Sequence, residues 1–563
     1  MNKLPKIVIK IDSISNEIQN SHFKNKSIIY NWHNYWSRKS PELASLIISN
    51  LCPKNGVFCD PFMGSGVHVI EAVKLNRKTK AIGIEINELP IEITLSSVRK
   101  NINSAKILNE FNSIIKNLEE KYEEYYSAFC PKCGIKAEYD KGLLRKVGKD
   151  FELEKIKINC PNCKHKIFFD ADKKNIKSFN YYNKQSLKIN LKDKFLDQNS
   201  RIAIKEDMKI SSLFTNRNFL IMSKIKESIF KVKDKNIKKE LLLIYSSMIH
   251  LAKLTDIRSQ SQFPYWIPSR HILERNLLLL FGKRLSKYLD HKRKVNDEIK
   301  YDIPIVNTYN NLQNSNNAIY IVRKPIQNIF SKDIPDRSID FILTDPPYYD
   351  QVAYSEYLKL WEFFTRFKSD LNNEIVVTRR IKQPKNHDMY FKMLKEAFKK
   401  IYRIMKISTC LAMYFNDSKL PVWFDFLEMM NKIGFHFIRQ TYVPKNLNTY
   451  KQLNSPKGTL KGECLLFFYK GSRESKIIKQ VEDKNKVKNI ENIVKEHIID
   501  LFRKKENPIT TSLIYNSGLI HKLYNKGLLK LLSRKDKSLV DTIKNYCDFD
   551  CMKNRWLLKN KYE

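Results

Sequence analysis

Hydrophobic and polar positions along the chain alternate between two periods. From Gly56 a short apolar run, Val57-Phe58-Cys59, enters the turn Asp60-Pro61-Phe62-Met63-Gly64-Ser65-Gly66. A helix-length segment, Val67 to Asn76, follows, and a second apolar run after it ends in Glu85. Run, glycine turn, helix and run within about 30 residues predict a βαβ unit and a parallel sheet. Beyond Ala105, the residues Ile107, Leu108, Phe111, Ile114, Ile115, Leu118, Tyr122 and Tyr125 recur at helical spacing, with acidic residues on the other face. Residues 201–325 read as mostly helical and irregular, punctuated by Pro264, Pro268 and Pro304. A second α/β stretch begins near Ile326. Within it Ser338–Asp345, Thr409–Phe415 and Glu463–Tyr469 read as strands, with a helix over Trp423–Lys432. From Gly471 the chain is Lys-rich and reads as helical, and no repeat of 20–50 residues is visible.

Composition narrows the class. A chain of 563 residues has room for three to four domains at roughly 150 residues each. Its 102 Lys+Arg against 60 Asp+Glu leave a net charge of +42, which points to a polyanionic partner. The lysines are spread along the whole chain, so a basic tail does not account for them, although a lysine-biased composition contributes. With 42% hydrophobic and 12% aromatic residues the chain is not disordered by composition. No run approaches the roughly 18 apolar residues of a spanning helix, and Lys6 and Lys10 interrupt any leader-like core. A soluble, cytoplasmic protein with no membrane partner is expected.

Three constellations carry chemistry. The first is the glycine turn: two glycines let backbone approach a ligand, and Glu85, 19 residues after Gly66, stands where an acid accepts ribose hydroxyls. Val69 occupies the third position of a dinucleotide fingerprint, which favours a nucleoside cofactor other than NAD. The second is Asp345-Pro346-Pro347-Tyr348 at the end of a buried strand. Two prolines stop the ladder and stiffen a loop that presents the Asp345 carboxylate and the Pro346 carbonyl beside an aromatic face. Such a loop suits an exocyclic amine on a flipped base. The third is a pair of C-x-x-C knuckles, Cys130/Cys133 and Cys160/Cys163, separated by 26 residues. Two knuckles complete a tetrahedral site, so a structural zinc ribbon spanning an extended hairpin is expected, with His165 a bystander. Cys52, Cys59, Cys410, Cys464, Cys547 and Cys551 show no such pairing.

Asp60–Gly66 together with Asp345–Tyr348 resembles the amino-group DNA methyltransferases, which use S-adenosylmethionine to methylate adenine N6 or cytosine N4. More closely, the chain is similar to adenine-specific DNA methylases that carry an inserted zinc ribbon. That likeness rests also on the stretches His33–Leu43, Leu213–Asn218, Tyr265–Pro268 and Tyr348–Asp350, and runs from about residue 30 to 470. It implies an α/β fold, a Rossmann-like methyltransferase sheet with an inserted zinc ribbon and helical region. Between Glu85 and Asp345 lie 259 residues, far more than the roughly 30 of a βαβ unit. The division expected is a cofactor half (1–105), a zinc-ribbon insert (106–200), a helical insert for target recognition (201–325), a catalytic half (326–472) and a basic helical C-terminal region (473–563).

The resemblance also implies roles. Gly64, Gly66 and the turn residues Asp60, Pro61, Phe62 and Ser65 would cradle the methionine moiety, and Glu85 the ribose. Asp345 and the Pro346 carbonyl would hold the amine, Pro347 completing the stiff loop and Tyr348 stacking on the base. Related enzymes often carry a Gly-Asp pair before the tetrad; here Lys324-Pro325-Ile326-Gln327-Asn328 has no acid, leaving Gln327 or Asn328 as substitutes. Trp32, His33, Tyr35 and Trp36 are candidates for the cofactor pocket or for core packing, and Tyr354 and Tyr357 for DNA stacking or core. The expected reaction is methylation of adenine N6 in double-stranded DNA, within restriction–modification, with a cognate endonuclease as candidate partner. Cytosine N4, RNA, and an inactive DNA-binding protein are the alternatives.

Overall fold

The structure, a computed structural model, describes residues 6–21, 23, 27–100, 102–148, 150–164, 168–258, 263–417, 419–444, 462–472, 487–504, 509–533, 539–551, 553 and 555–562. His165 lies outside them, as do residues 455–461 of the basic stretch Ser455–Gly462, a candidate phosphate contact or plain strand connection, and Lys505, Arg534 and Lys535 of the basic tail.

The buried runs become an eight-stranded sheet: β1 (Val57–Asp60), β2 (Lys80–Ile84), β3 (Ile305–Val306), β4 (Ile319–Val322), β5 (Ile339–Thr344), β6 (Met405–Tyr414), β7 (His436–Val443) and β8 (Glu463–Lys470). Their order in space is β7-β8-β6-β5-β1-β2-β4-β3. Neighbours pair in parallel except β8, which runs antiparallel to both β6 and β7. The strands are apolar on both sides because both faces are covered. Phe58, Ala81, Phe341 and Leu465 point into one core, and their neighbours Cys59, Ile82, Ile342 and Leu466 into another. The first core is closed by α1 (Lys6–Gln19), α2 (Pro41–Leu51) and α3 (Val67–Lys74). A further helix, α4 (Glu88–Val98), sends Ile91 into this core and Leu89 into the insert's core. The α/β, Rossmann-like fold class is therefore as expected.

The insert builds its own core. Strands Lys136–Val147 and Asp150–Asn159 form an antiparallel hairpin, which pairs with Ile272–Arg275. Helices Asn216–Lys231, Lys235–Ser246 and Leu277–Glu298 pack with it and with α5 (Tyr354–Thr365), the helix that follows the tetrad. The opposite face of the sheet is covered by α6 (His387–Ile404) and α7 (Leu420–Ile433). Ile490, Val494, Ile498, Leu519 and Leu523 of the C-terminal segment join this same core.

Three details differ from the sequence reading. The stretch 201–325 contains β3 and β4, which extend the central sheet; their two- and four-residue apolar runs are too short to separate from buried helix by periodicity. β7 was not foreseen, because its first half is only partly buried and carries His436 and Arg439. The C-terminal region holds a hairpin, Cys547–Asp550 with Arg555–Leu558, besides its helices.

Parallel strands bring their C-terminal ends to one edge, where α/β sheets bind ligands. Asp60 ends β1, Glu85 follows β2 and Asp345 follows β5. Because β8 is reversed, its first residue, Glu463, reaches that edge too. Gly66 explains itself locally: its φ is +78°, and a Cβ there would lie 2.3 Å from Thr94 Cγ2 on α4. The left-handed backbone and the helix packing each call for glycine here. Gly66→Ala should therefore lose about 2–4 kcal/mol of stability, the sum of a left-handed backbone and an overpacked contact. Urea denaturation checks this, and a loss under about 1 kcal/mol would contradict the packing account.

Candidate active site

The turn after β1 is organised around one buried carboxylate. Asp60 Oδ1 accepts from the Phe62 N–H (3.1 Å) and the Thr344 hydroxyl (2.6 Å), and Oδ2 meets His68 Nδ1 at 2.8 Å. These bonds join the end of β1 to the turn, to α3 and to the last residue of β5. Beside it the Glu85 carboxylate accepts from the Gly64 N–H (3.0 Å) and the Asn87 N–H (2.8 Å). Burial pushes the Glu85 carboxyl up to about 7, against the amides that favour its charge.

The tetrad faces the same space. Asp345, Pro347, Asp60, Pro61, Phe62, Gly64, Ser65 and Glu85 line one cleft, together with Tyr35, Arg38, Lys39, Ile326, Gln327 and Glu374. Gly66, Pro346 and Tyr348 do not line it. The Tyr348 hydroxyl donates to Asp345 Oδ1, and its ring meets Phe415 edge-on at 6.0 Å. The buried Tyr390 hydroxyl of α6 holds the loop backbone, donating to the Pro347 carbonyl (3.0 Å) and accepting from the Tyr349 N–H (3.1 Å). Of the aromatic candidates, Tyr35, Trp36 and Tyr354 line the cleft, and Tyr35 stacks on Tyr354 at 5.9 Å. Trp32, His33 and Tyr357 are buried elsewhere: Trp32 stacks on His291, His33 Nε2 meets Ser246 Oγ at 2.7 Å, and Tyr357 packs on Trp36. Gln327 lines the cleft where the expected acid is missing, while Asn328 is exposed outside it.

Two residues to which the sequence assigned no role complete the charge balance. Lys39 Nζ lies 3.1 Å from Asp345 Oδ2 and 2.8 Å from Glu463 Oε1, and all three side chains are largely buried. The same ammonium sits 4.8 Å from the Tyr414 ring centroid and 5.3 Å from that of Tyr348. Burial raises the Asp345 carboxyl above the usual range, and Lys39 and the Tyr348 hydroxyl oppose that rise. Arg38 is a third: Nε donates to Ser65 Oγ (2.9 Å) and Nη1 to the His33 carbonyl (2.7 Å), while Nη2 is buried with no partner among the described residues. Nothing in the motifs marks these contacts, because Lys39 and Glu463 are 424 residues apart.

The four cysteines converge as their spacing expects. All four Sγ atoms lie within 4.8 Å of one another, with Cys133 and Cys160 at 3.6 Å. A tetrahedral zinc with bonds near 2.3 Å sets its sulfurs about 3.8 Å apart, so the donor set fits that ion. Each knuckle closes a turn, Gly134 N–H to the Cys130 carbonyl and Lys164 N–H to the Cys160 carbonyl, and the Cys163 N–H points at Cys160 Sγ (3.3 Å). The motif stretches inside the insert serve packing. Arg217 pairs with the buried Glu274, and the Tyr265 hydroxyl donates to the Glu356 carbonyl on α5 (2.5 Å).

The family model described as DNA methylase, of the N6/N4 type, matches residues 11–96 and 339–532. No curated protein matches the chain. The unmatched stretch between the two segments holds the cysteine cluster and the insert's helices. The likeness thus begins before residue 30 and continues past 470, correcting the extent read from motifs. The C-terminal helices within the second segment share the core of the sheet. No helix among the described residues is long and apolar enough to cross a membrane.

The Lys39 arrangement makes a signed prediction. In Lys39→Met the buried Asp345 loses its counter-charge, which raises its folded carboxyl further above the unfolded value of about 3.9. A carboxyl raised on folding stabilises at low pH and loses that contribution as pH climbs. The variant should therefore trail wild type by about 3–5 kcal/mol at pH 8 and by much less at pH 5, read by urea denaturation at both. A deficit independent of pH would contradict the charge assignment.

Proposed function

We propose that this chain, a member of the N6/N4 DNA methylase family, transfers a methyl group from S-adenosylmethionine to N6 of adenine in double-stranded DNA. The observation that carries this reading is that one cleft is lined both by the glycine turn with Glu85 and by Asp345. A site for a nucleoside cofactor and a site for an amine thus share one space.

The side chains present fit the cofactor. Glu85 is placed to accept from ribose hydroxyls, and Phe62 and Ile326 offer apolar walls to a purine, with the Gln327 amide beside them. The free Arg38 Nη2 donor suits a carboxylate, which the methionine moiety has. When bound, S-adenosylmethionine supplies a methyl group on a sulfonium, activated for in-line transfer.

The residues act on the amine. Lys39 and the Tyr348 hydroxyl favour the ionised form of Asp345, and each carboxylate oxygen retains a lone pair for a further bond. Asp345 then accepts one N–H of the flipped base's amine, and the resemblance assigns the other to the Pro346 carbonyl, although Pro346 does not line the cleft. These bonds draw the nitrogen toward tetrahedral geometry and aim its lone pair at the methyl group. Positioning and electrostatics supply the catalysis, and the proton leaves to solvent after transfer. Adenine is favoured over cytosine because Asp, not Ser, stands at position 345. The cysteine cluster, in this reading, holds a closed structural zinc that pins the base of the hairpin.

Labelled methyl transfer to unmodified DNA, followed by digestion to nucleosides, tests the reaction. Label in N6-methyldeoxyadenosine that falls by at least about 100-fold in Asp345→Ala is expected. Label in N4-methyldeoxycytidine would keep the mechanism and overturn the base. No DNA label with cofactor bound would refute the reading. Elemental analysis of the purified protein should separately give one zinc per chain, lost together with hairpin stability in Cys130→Ser.

A further inference from the structure

Near the cleft a short loop is built with more care than a connection needs. Residues 378–385 leave the cleft wall formed by Asn373, Glu374 and Ile375 and return to the start of α6. Their base is closed by a Thr378 N–H to Lys385 carbonyl bond (3.0 Å). Just before it, the Val377 N–H donates to the carbonyl of Tyr349, the neighbour of the tetrad's last residue (2.8 Å).

Two buried cations hold the loop from inside. Lys385 Nζ donates to the carbonyls of Leu371 (2.8 Å), Asn372 (2.9 Å) and Glu374 (2.5 Å). Arg380, 3% exposed, donates to the carbonyls of Lys382 (2.7 Å) and Gln383 (3.2 Å). The Thr378 hydroxyl donates to Glu356 Oε1 (2.5 Å) and accepts from Asn199 (3.0 Å), while the Ile381 N–H donates to the Gln198 carbonyl (3.2 Å). Removing two charges from water is costly, and here the return is a fixed tip. At that tip Ile381 is 65% exposed, flanked by exposed Arg379 and Lys382. A single exposed isoleucine elsewhere would mean nothing. On a loop pinned from inside that leaves the cleft wall and is tied to the tetrad's neighbour Tyr349, with cations on either side, it has the make-up of a side chain inserted between base pairs.

We propose that Ile381 is a wedge that enters the DNA stack where the target base leaves it, with Arg379 and Lys382 on the neighbouring phosphates. This rests on the reading of the cleft as a methyltransferase site. Extruding a base costs unstacking and unpairing, and an apolar side chain filling the gap offsets part of that cost. The rigid loop means the wedge need not be ordered at the moment of insertion.

The test uses the full-length enzyme and a duplex bearing the sequence it methylates, mapped on unmodified plasmid DNA. Single-turnover methyl transfer is compared for wild type, Ile381→Ala and Ile381→Leu on the fully paired duplex and on one with the target base mispaired. On paired DNA Ile381→Ala should be slower by about tenfold or more, with Ile381→Leu close to wild type. On mispaired DNA, where extrusion costs least, Ile381→Ala should come within about threefold of wild type. Equal rates on paired DNA, or an equal loss on both duplexes, would overturn the wedge while leaving the methyltransferase reading intact. Absence of methylation by wild type on every duplex would overturn that reading and the wedge with it.

Discussion

The Asp60 carboxylate is the joint on which the cleft is built. It is 1% exposed, and its bonds to Phe62, His68 and Thr344 tie four pieces of chain to one point. Thr344 is 284 residues away in sequence, so the bond unites the glycine turn with the strand that delivers the tetrad. Burying a carboxylate is unfavourable unless its lone pairs are filled, and here they are filled by the groups whose relative position matters. The spacing between the two halves of the cleft follows from that satisfaction.

A second constraint acts on charge. Asp345 and Glu463 meet at the carboxyl edge because β8 is reversed, and two buried anions so close could not both stay ionised alone. Lys39, just before α2, supplies the cation from the chain's first segment. The acceptor of the cleft is thereby held by three segments far apart in sequence. Sheet topology brings them together more than any local motif does.

This difference separates what the sequence could reveal from what it could not. The glycine turn, the tetrad and the cysteine knuckles are local patterns whose spacing reflects one turn each, and the structure brings the turn and the tetrad to one cleft. Arg38 and Lys39 stand inside a stretch that carries the resemblance, but their contacts, like those of Glu463 and Tyr390, come only from partners brought up by the fold. The packing demand on Gly66 was hidden for the same cause, since Thr94 lies on α4 and meets it only in the fold. β7 and the short strands at the other edge were hidden by partial burial and length. Tyr35 and Tyr354 were each in view, but not that their rings would stack on one another in the cleft lining.

The placement of the insert has a consequence for how the chain is made. β1 pairs with β5 across about 280 residues of sequence, as Phe58 opposite Phe341 records. At roughly 5–20 residues per second, a ribosome needs about 15–60 s to supply that partner. Through this interval β1 and β2 can pair with each other, yet one edge of β1 stays open and apolar, the kind of edge that invites wrong pairing. The insert is synthesised during the same interval, but Trp361 and Phe364 of α5, which complete its core, come after β5. The sheet and the insert's core therefore close together, once the chain just beyond the interruption has been supplied.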